Sequence, residues 1–293
     1  ENNKVVFEAD ESDESFLNSN PYLAIVTNVE PEHMEYYQYD EALFYSAYTK
    51  FLSLAKIRVI NAEDTFLSSL EMESVKLYPS RDIKNIAFTL VEGKPHTKFE
   101  LRDLGIFEVF GLGAHIALDA ALAILAALEL GWPLEEIRKN CLNYKGIKKR
   151  FDIIQDKEKC VVIDDYGHHP TEIKATMKAL KIYQKLRGFT QLNVIWQPHK
   201  YSRTLDNLPG FVECFEGVDE LVILPIWAAG EIKTDIDLKG AFSRYKLVMA
   251  DAVTKEDGIV RVLKEGHVIQ EYSQGLITAF GAGDITYQIR GEA

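Results

Sequence analysis

Two short blocks hold most of the residues able to do acid–base and anion chemistry. They are Ile163-Asp-Asp-Tyr-Gly-His-His-Pro-Thr-Glu172 and Gln197-Pro-His-Lys-Tyr-Ser-Arg-Thr204. Imidazole titrates near neutral pH, and a guanidinium grips carboxylate or phosphate with a planar fork. Two acids, three imidazoles, a hydroxyl and a guanidinium therefore suit a site that binds anions and moves protons. Each block follows an apolar run, residues 160–163 and 192–196, of the kind that forms a buried strand. Ligands of open α/β sheets bind beyond the carboxyl ends of the strands, which puts both blocks on one rim. Either block alone has a bland reading, since His-Pro can be a plain turn and tandem histidines are common on surfaces. The pair favours a site.

A second group lies near the start. Glu8-Ala-Asp-Glu-Ser-Asp-Glu14 carries five acids in seven residues, directly after the strand-like run 4–8. Ala24-Ile-Val-Thr-Asn-Val-Glu-Pro-Glu-His-Met34 is a second strand, which would deliver His33 to the same sheet edge. Glu8 and His33 make a candidate site for Mg²⁺ (or Mn²⁺), which commonly takes one or two protein ligands and completes its shell from water and phosphate. The competing readings are a solvated acidic loop and a capping or surface imidazole. Gly281-Ala-Gly283-Asp284 either admits a ligand close to the backbone or makes a tight strand-to-helix turn. Lys148-Lys-Arg150 either binds phosphate or is merely solvated. No Gly-x-x-x-x-Gly-Lys-Ser/Thr loop is present, and Glu92-Gly-Lys-Pro95 lacks both its spacing and its hydroxyl.

These residues need a scaffold. Residues 4–8, 23–27 and 58–61 read as strands and 41–55 as containing a helix. Residues 86–91 and 97–101 flank Glu92-Gly-Lys-Pro95 as a β-hairpin. The Ala- and Leu-rich stretch 115–130 is a helix stopped at Gly131-Trp-Pro133, and Pro133 suits the start of a second helix running to 143. Strands near 160–164, 192–196, 220–225, 246–250 and 276–280 alternate with helical stretches, which implies a mostly parallel sheet covered on both faces. The basic stretch Lys145-Gly-Ile-Lys-Lys-Arg150 is the expected linker, giving an α/β chain divided into residues 1–148 and 149–293.

Composition bounds what such a chain can be. Its 293 residues suffice for two domains, since single cores rarely grow beyond ~250 residues. With 47% hydrophobic and 27% charged residues it is globular, and no apolar run approaches the ~20 residues that span a bilayer. A net charge of −12 argues against nucleic acid as the main partner. Cys141, Cys160 and Cys214 lack metal or disulfide spacing and read as reduced thiols of a cytoplasmic protein. The abrupt opening Glu1-Asn-Asn, just before a strand-like run, leads us to expect a fragment of a longer protein.

The motifs together resemble the Mur ligase family. The matching set is Glu8-Ala-Asp-Glu-Ser-Asp13, Thr27-Asn-Val-Glu-Pro-Glu-His-Met34, Arg150-Phe151, Asp164–Glu172, Gln197–Thr204 and Ala229-Gly-Glu231, in the family's order over essentially the whole chain. The resemblance implies a partial central ATPase domain (a mixed sheet with helices) followed by a Rossmann-like C-terminal domain that receives an amino acid. It also implies that a UDP-sugar domain and the phosphate loop would precede this chain, so that the chain alone would be inactive. The implied reaction is ATP-driven amide synthesis. The lactyl carboxylate of UDP-N-acetylmuramate takes the ATP γ-phosphoryl group to give an acyl phosphate, and the amine of L-alanine then displaces phosphate. By the same resemblance Arg150 and Asp165 would hold ATP phosphate and ribose, and His115 and Asp119 would lie on the adenine side. His168, His199, Ser202 and Arg203, with Tyr166, would line the amino-acid pocket. Arg203 would pair with the alanine carboxylate, and a histidine would accept the ammonium proton.

Four positions depart from the family pattern. His115-Ile-Ala-Leu-Asp119 stands where His-Asn-x-x-Asn is usual, so Ile116 offers adenine no hydrogen bond. Glu32 and Lys200 replace the commoner Asp and Arg with their charge kept. Two other readings stay open: a related ligase that recycles whole peptides onto the same nucleotide sugar, and a nucleotide- or amino-acid-binding module without turnover. Ser12 and the block 198–204 favour the alanine reaction.

Overall fold

The computed structural model describes residues 4–292, so the opening Glu1-Asn-Asn lies outside the described residues. The chain divides into two compact units. One holds the described residues up to Ala87 with Thr97–Val109 and Ala114–Tyr144; the other holds Phe88–His96, Phe110–Gly113 and the described residues from Lys145 onward.

The first unit begins with a short 3-10 turn, Ser15–Asn18, then β1 (Leu23–Val26), α1 (Glu41–Leu54), β2 (Ile57–Asn61), α2 (Thr65–Ser68), β3 (Val75–Leu77) and α3 (Pro79–Asp82). β1, β2 and β3 form a parallel sheet in that order. Three longer strands follow, β4 (Ile83–Val91), β5 (Lys94–Leu101) and β6 (Ile106–Phe110), paired in chain order. Then come α4 (Ala114–Glu129) and α5 (Leu134–Asn143). α4 buries Ala117, Ala121, Leu122 and Leu125 at helical spacing against Val59, Phe99 and Phe107. The expected strand at residues 4–8 is absent. Val5, Val6 and Phe7 are exposed there, and no neighbouring strand among the described residues pairs with the run. An apolar run without a partner cannot complete its ladder.

The second unit holds β7 (Asp152–Asp156), β8 (Cys160–Asp165), α6 (Pro170–Arg187), β9 (Leu192–Trp196), α7 (Tyr201–Asp206), α8 (Leu208–Cys214), β10 (Glu220–Ile223), α9 (Leu238–Ala241) and β11 (Leu247–Met249). After these come β12 (Ala252–Glu256), β13 (Ile259–Lys264), β14 (His267–Tyr272), β15 (Gly275–Phe280) and α10 (Ile285–Arg290). The main sheet has the order β11-β10-β9-β15-β8-β7. All its pairings are parallel except β7 with β8. β8, β9, β10 and β15 are buried at every position, as strands covered on both faces must be. Ile173, Met177, Phe211, Phe215 and Phe242 cover one face around Trp196. Ile285 and Ile289 of α10, with Val253, Val260 and Val262, cover the other.

The antiparallel meander β12-β13-β14 was not expected from sequence. Its two turns, Asp257-Gly258 and Glu265-Gly266, have positive φ at both residues. That is the two-residue hairpin geometry whose twist matches the flanking strands. Glu92-Gly93 closes the expected hairpin in the same way. Among the described residues no helix is long and apolar enough to cross a membrane.

Candidate active site

β8 and β9 end on either side of β15, and the loops that leave their carboxyl ends carry the two blocks found in the sequence. The structure brings most of those side chains into one line. The Arg150 guanidinium lies 5.5 Å from the Tyr166 ring centre, and Tyr166 meets His168 edge to face at 5.0 Å. His168 meets His199 at 5.8 Å, and His199 Nδ1 is 3.1 Å from Arg203 Nη1. Arg203 is 9% exposed, so its charge is held among protein groups.

The two ring tautomers follow from these partners. A guanidinium only donates, so His199 Nδ1 accepts from Arg203 and its proton lies on Nε2. Burial, then the charges of Arg203, His168 and Lys200, lowers the His199 pKa to about 4. His199 is therefore neutral near pH 7 and a poor proton acceptor. His168 is arranged the other way: its Nδ1 lies 3.1 Å from the Tyr166 carbonyl, which only accepts. Its Nδ1 therefore carries a proton, which leaves Nε2 as the nitrogen that gains or loses one.

Two glutamates that the sequence reading quoted but did not assign organise this line. Glu172 occupies the third position of α6, behind the Pro170 start, and completes a capping box with His169. Its Oε2 accepts from the backbone N–H of His168 at 3.0 Å and of His169 at 3.2 Å, while Oε1 pairs with Arg150 at 2.9 Å. Burial opposes the Glu172 charge, but the His168 imidazole and N–H and the Arg150 guanidinium outweigh it and keep the carboxyl below its usual range. Glu231 does the same for α7. It accepts from the backbone N–H of Tyr201 and Ser202 and, at 2.6 Å, from the Ser202 hydroxyl. Ser202 thus spends its proton on Glu231 and faces any ligand only as an acceptor. The Pro-Thr-Glu capping pattern could have exposed Glu172, whereas nothing in the spacing links Glu231 to Ser202.

Asp165, which the resemblance puts at the ATP phosphate and ribose, is bound to the backbone in this structure. It is 3% exposed, with Oδ2 accepting from Phe151 N–H at 2.8 Å and Oδ1 from Gly167 N–H at 2.9 Å. Burial pushes its pKa to about 6 against those hydrogen bonds. The first of these bonds holds Phe151, and the Asp152 carboxylate, accepting from Lys149 N–H at 3.2 Å, holds Lys149, so both residues flanking Arg150 keep unusual backbone shapes. Lys149 has φ 64 and Phe151 φ 47, both in the left-handed region that side chains disfavour. The Lys149 carbonyl also accepts from Tyr166 N–H at 2.7 Å. Arg150 is aimed by this lacing, so the expected linker is a fixed part of the second unit.

In the first unit the acidic run and the His33 loop converge. Phe16 stacks on Phe51 at 4.8 Å and anchors the loop that carries Glu11. Tyr37, 2% exposed and edge-on to Phe44, anchors the loop that carries Glu32 and His33. Its hydroxyl donates to the Glu11 carbonyl at 2.5 Å, tying one loop to the other. As a result Glu11, Glu32 and His33 each offer a ligand atom within 4.8 Å of the others. Glu8 is exposed in the unpaired segment and is not part of this group. Two carboxylates and one imidazole are an oxygen-rich donor set that fits Mg²⁺ or Mn²⁺. Burial raises the Glu11 pKa, a cost that a bound cation would relieve. His115 and Ile116 are half-buried in the first turn of α4, and Asp119 is exposed one turn further on.

A Rossmann-like sheet with this rim in one unit, and a cluster of possible cation ligands in the other, fit the Mur ligase class. Residues 1–127 match the Mur ligase middle domain and residues 149–269 the Mur ligase glutamate ligase domain, and the chain belongs to the Mur ligase family. It is 55% identical over 291 residues to the UDP-N-acetylmuramate–L-alanine ligase of Campylobacter curvus, covering 99% of this chain and 67% of that protein. It is 53% identical over 294 residues to the enzyme of the same name from Helicobacter pylori, covering 99% of this chain and 65% of that protein. The chain thus spans about two thirds of the length of these relatives. Among solved structures, the UDP-N-acetylmuramate–alanine ligase of Thermotoga maritima shares the fold. The TM-score is 0.72 at 22% identity, covering 96% of this chain and 60% of that one.

Proposed function

We propose that this chain is the central and C-terminal part of a cytoplasmic ATP-dependent ligase that joins L-alanine to UDP-N-acetylmuramate during peptidoglycan precursor synthesis. The observation that carries the reading is the similarity to alanine-adding ligases along nearly the whole chain.

The geometry supports a division of labour. Arg203, fixed by His199, presents a planar fork to the α-carboxylate of alanine. His199 contributes its Nε2–H as a donor. His168 can take a proton at Nε2, since its Nδ1–H is held by the Tyr166 carbonyl, whereas His199 Nδ1 is taken up by Arg203. An alanine ammonium delivered there can lose its proton and attack the activated lactyl carbonyl. Arg150 is aimed at ATP phosphate by the Asp165 lacing, and Tyr166 lines the pocket between Arg150 and His168. Asp165 supports Arg150 through the backbone of Phe151, beside the ribose that the family resemblance assigns to it. His115 and Asp119 stand on the adenine side. Glu11, Glu32 and His33 would hold the divalent cation, which when bound neutralises phosphate charge.

The test is phosphate release by the full-length protein that contains this chain. Release should require ATP, L-alanine and UDP-N-acetylmuramate together. Release that depends on a peptide in place of alanine would instead support the peptide-recycling ligase, and none with either would support a binding module.

A further inference from the structure

We propose that Trp227 is a specificity-determining residue, the wall that confines the amino-acid side chain to a methyl group. The inference rests on the alanine reading and adds a residue that the two sequence blocks do not contain.

Trp227 lies in the loop after β10, and its backbone is bound to the β9 loop on both sides. Its N–H donates to the Pro198 carbonyl at 2.8 Å, and its carbonyl accepts from Lys200 N–H at 2.8 Å. The two segments form a parallel bridge in which Trp227 is paired with His199. Paired residues of a bridge project to the same side, so the indole shares a side with the imidazole that pins Arg203. The carbonyl of Trp227 also helps hold Lys200 at φ 65, a shape that needs support in a residue with a side chain. Further along, Glu231 caps the first turn of α7 through Ser202. The loop from 227 to 231 therefore runs from His199 to Ser202 and borders the pocket along its length.

The indole itself is set firmly. A Cβ added at Gly283 would come within 2.8 Å of Trp227 Cγ, so the β15 loop packs its bare backbone against the ring. Yet Trp227 remains 42% exposed, whereas Trp196 is fully buried. A large aromatic surface left open on the side of His199, the residue whose Nδ1 holds Arg203, is what a substrate would cover. An α-amino acid gripped at its carboxylate by Arg203 must direct its β-carbon at one of the nearby walls. The indole is the apolar one. A methyl group fits against it, and each further methylene must displace it.

The experiment compares kcat/KM for L-alanine, L-2-aminobutyrate and L-valine in the full-length ligase, in W227F and in W227A. Wild type should prefer L-alanine over L-2-aminobutyrate by roughly 10- to 200-fold, the range one methylene allows. W227A should narrow that ratio about tenfold, W227F should fall between, and KM for ATP should stay within about twofold. An unchanged ratio in W227A and W227F overturns the inference while leaving the ligase reading intact. Absence of any turnover of L-alanine by wild type overturns both. Should W227A fail to fold by circular dichroism, W227F decides: its ratio must narrow, and it must lose the fluorescence change that L-alanine produces in wild type.

Discussion

Replacing Asp165 with asparagine should remove a specific pH dependence from the stability of the second unit. The carboxyl moves from 3.8 in the unfolded chain to about 6 in the fold, because burial outweighs the N–H groups of Phe151 and Gly167. Between those two values the folded chain binds more protons than the unfolded one, so stability falls as pH rises. The contribution is complete below about pH 4 and lost as pH climbs through about 6. A difference of that size corresponds to roughly 3 kcal/mol. Asparagine is neutral throughout, accepts only one of the two N–H groups, and leaves the other facing its own NH₂. That adds about 1–3 kcal/mol of destabilisation that does not vary with pH. Urea unfolding of both proteins between pH 4.5 and 7.5, followed by the fluorescence of the buried Trp196, measures the difference directly. The wild-type advantage should be largest at the acid end and shrink by roughly 2–3 kcal/mol toward neutrality. Parallel stability profiles for the two proteins would refute the argument that burial dominates at Asp165.

Other consequences follow in the full-length ligase. Arg203→Lys keeps the charge but loses the fork, and should raise KM for L-alanine about ten- to a hundredfold with KM for ATP unchanged. An unaltered alanine KM would remove Arg203 from the pocket. Ile116→Asn should increase the preference for ATP over GTP, since isoleucine cannot read a base edge; equal ratios in the two proteins would show that other groups read adenine. Glu11→Gln should raise the Mn²⁺ concentration needed for half-saturation, measured by electron paramagnetic resonance with ATP present, more than Glu8→Gln does. The reverse order would return the cation to Glu8. Glu172→Gln keeps an acceptor for the cap but loses the charge that pairs Arg150. KM for ATP should therefore change while the melting temperature moves little, because the Arg150 partner is half exposed and such pairs contribute at most about 1 kcal/mol.

Much of the architecture was legible because it rests on local signals. The mostly apolar runs within Cys160–Asp165, Leu192–Trp196 and Gly275–Phe280 are what central parallel strands, buried on both faces, require. The Gly131 and Pro133 punctuation fixed the break between α4 and α5. Residues 4–8 misled because an apolar run says nothing about whether a partner strand lies beside it. The meander was missed although Asp257-Gly258 is a strong turn signal, because its strands mix polar and apolar residues without clean alternation. At the site, residue types announced His168, His199 and Arg203 but not their protonation. That depended on Tyr166 and Arg203 choosing which ring nitrogen they face. The resemblance gave Asp165 a role at ATP, and its bonds to the backbone of Phe151 and Gly167 could not be read from a strand-end position. Glu11 was one acid among five, and only the packing of Phe16 and Tyr37 singles it out.

The position of β15 has a consequence for how the enzyme is made. It fills the slot between β8 and β9, so the two chemical loops stand two strand spacings apart, roughly 10 Å. Yet among the described strands it is the last to be synthesised, more than 70 residues after β9. While the chain is still emerging from the ribosome, β8 and β9 each present an unpaired edge to an empty slot, and such edges recruit other strands. A nascent chain halted between residues 231 and 275 would carry every side chain of the two blocks and be unable to set them at working distance. The spacing of the two loops is therefore set in one late event, the insertion of a six-residue strand that contributes none of the side chains of the two blocks.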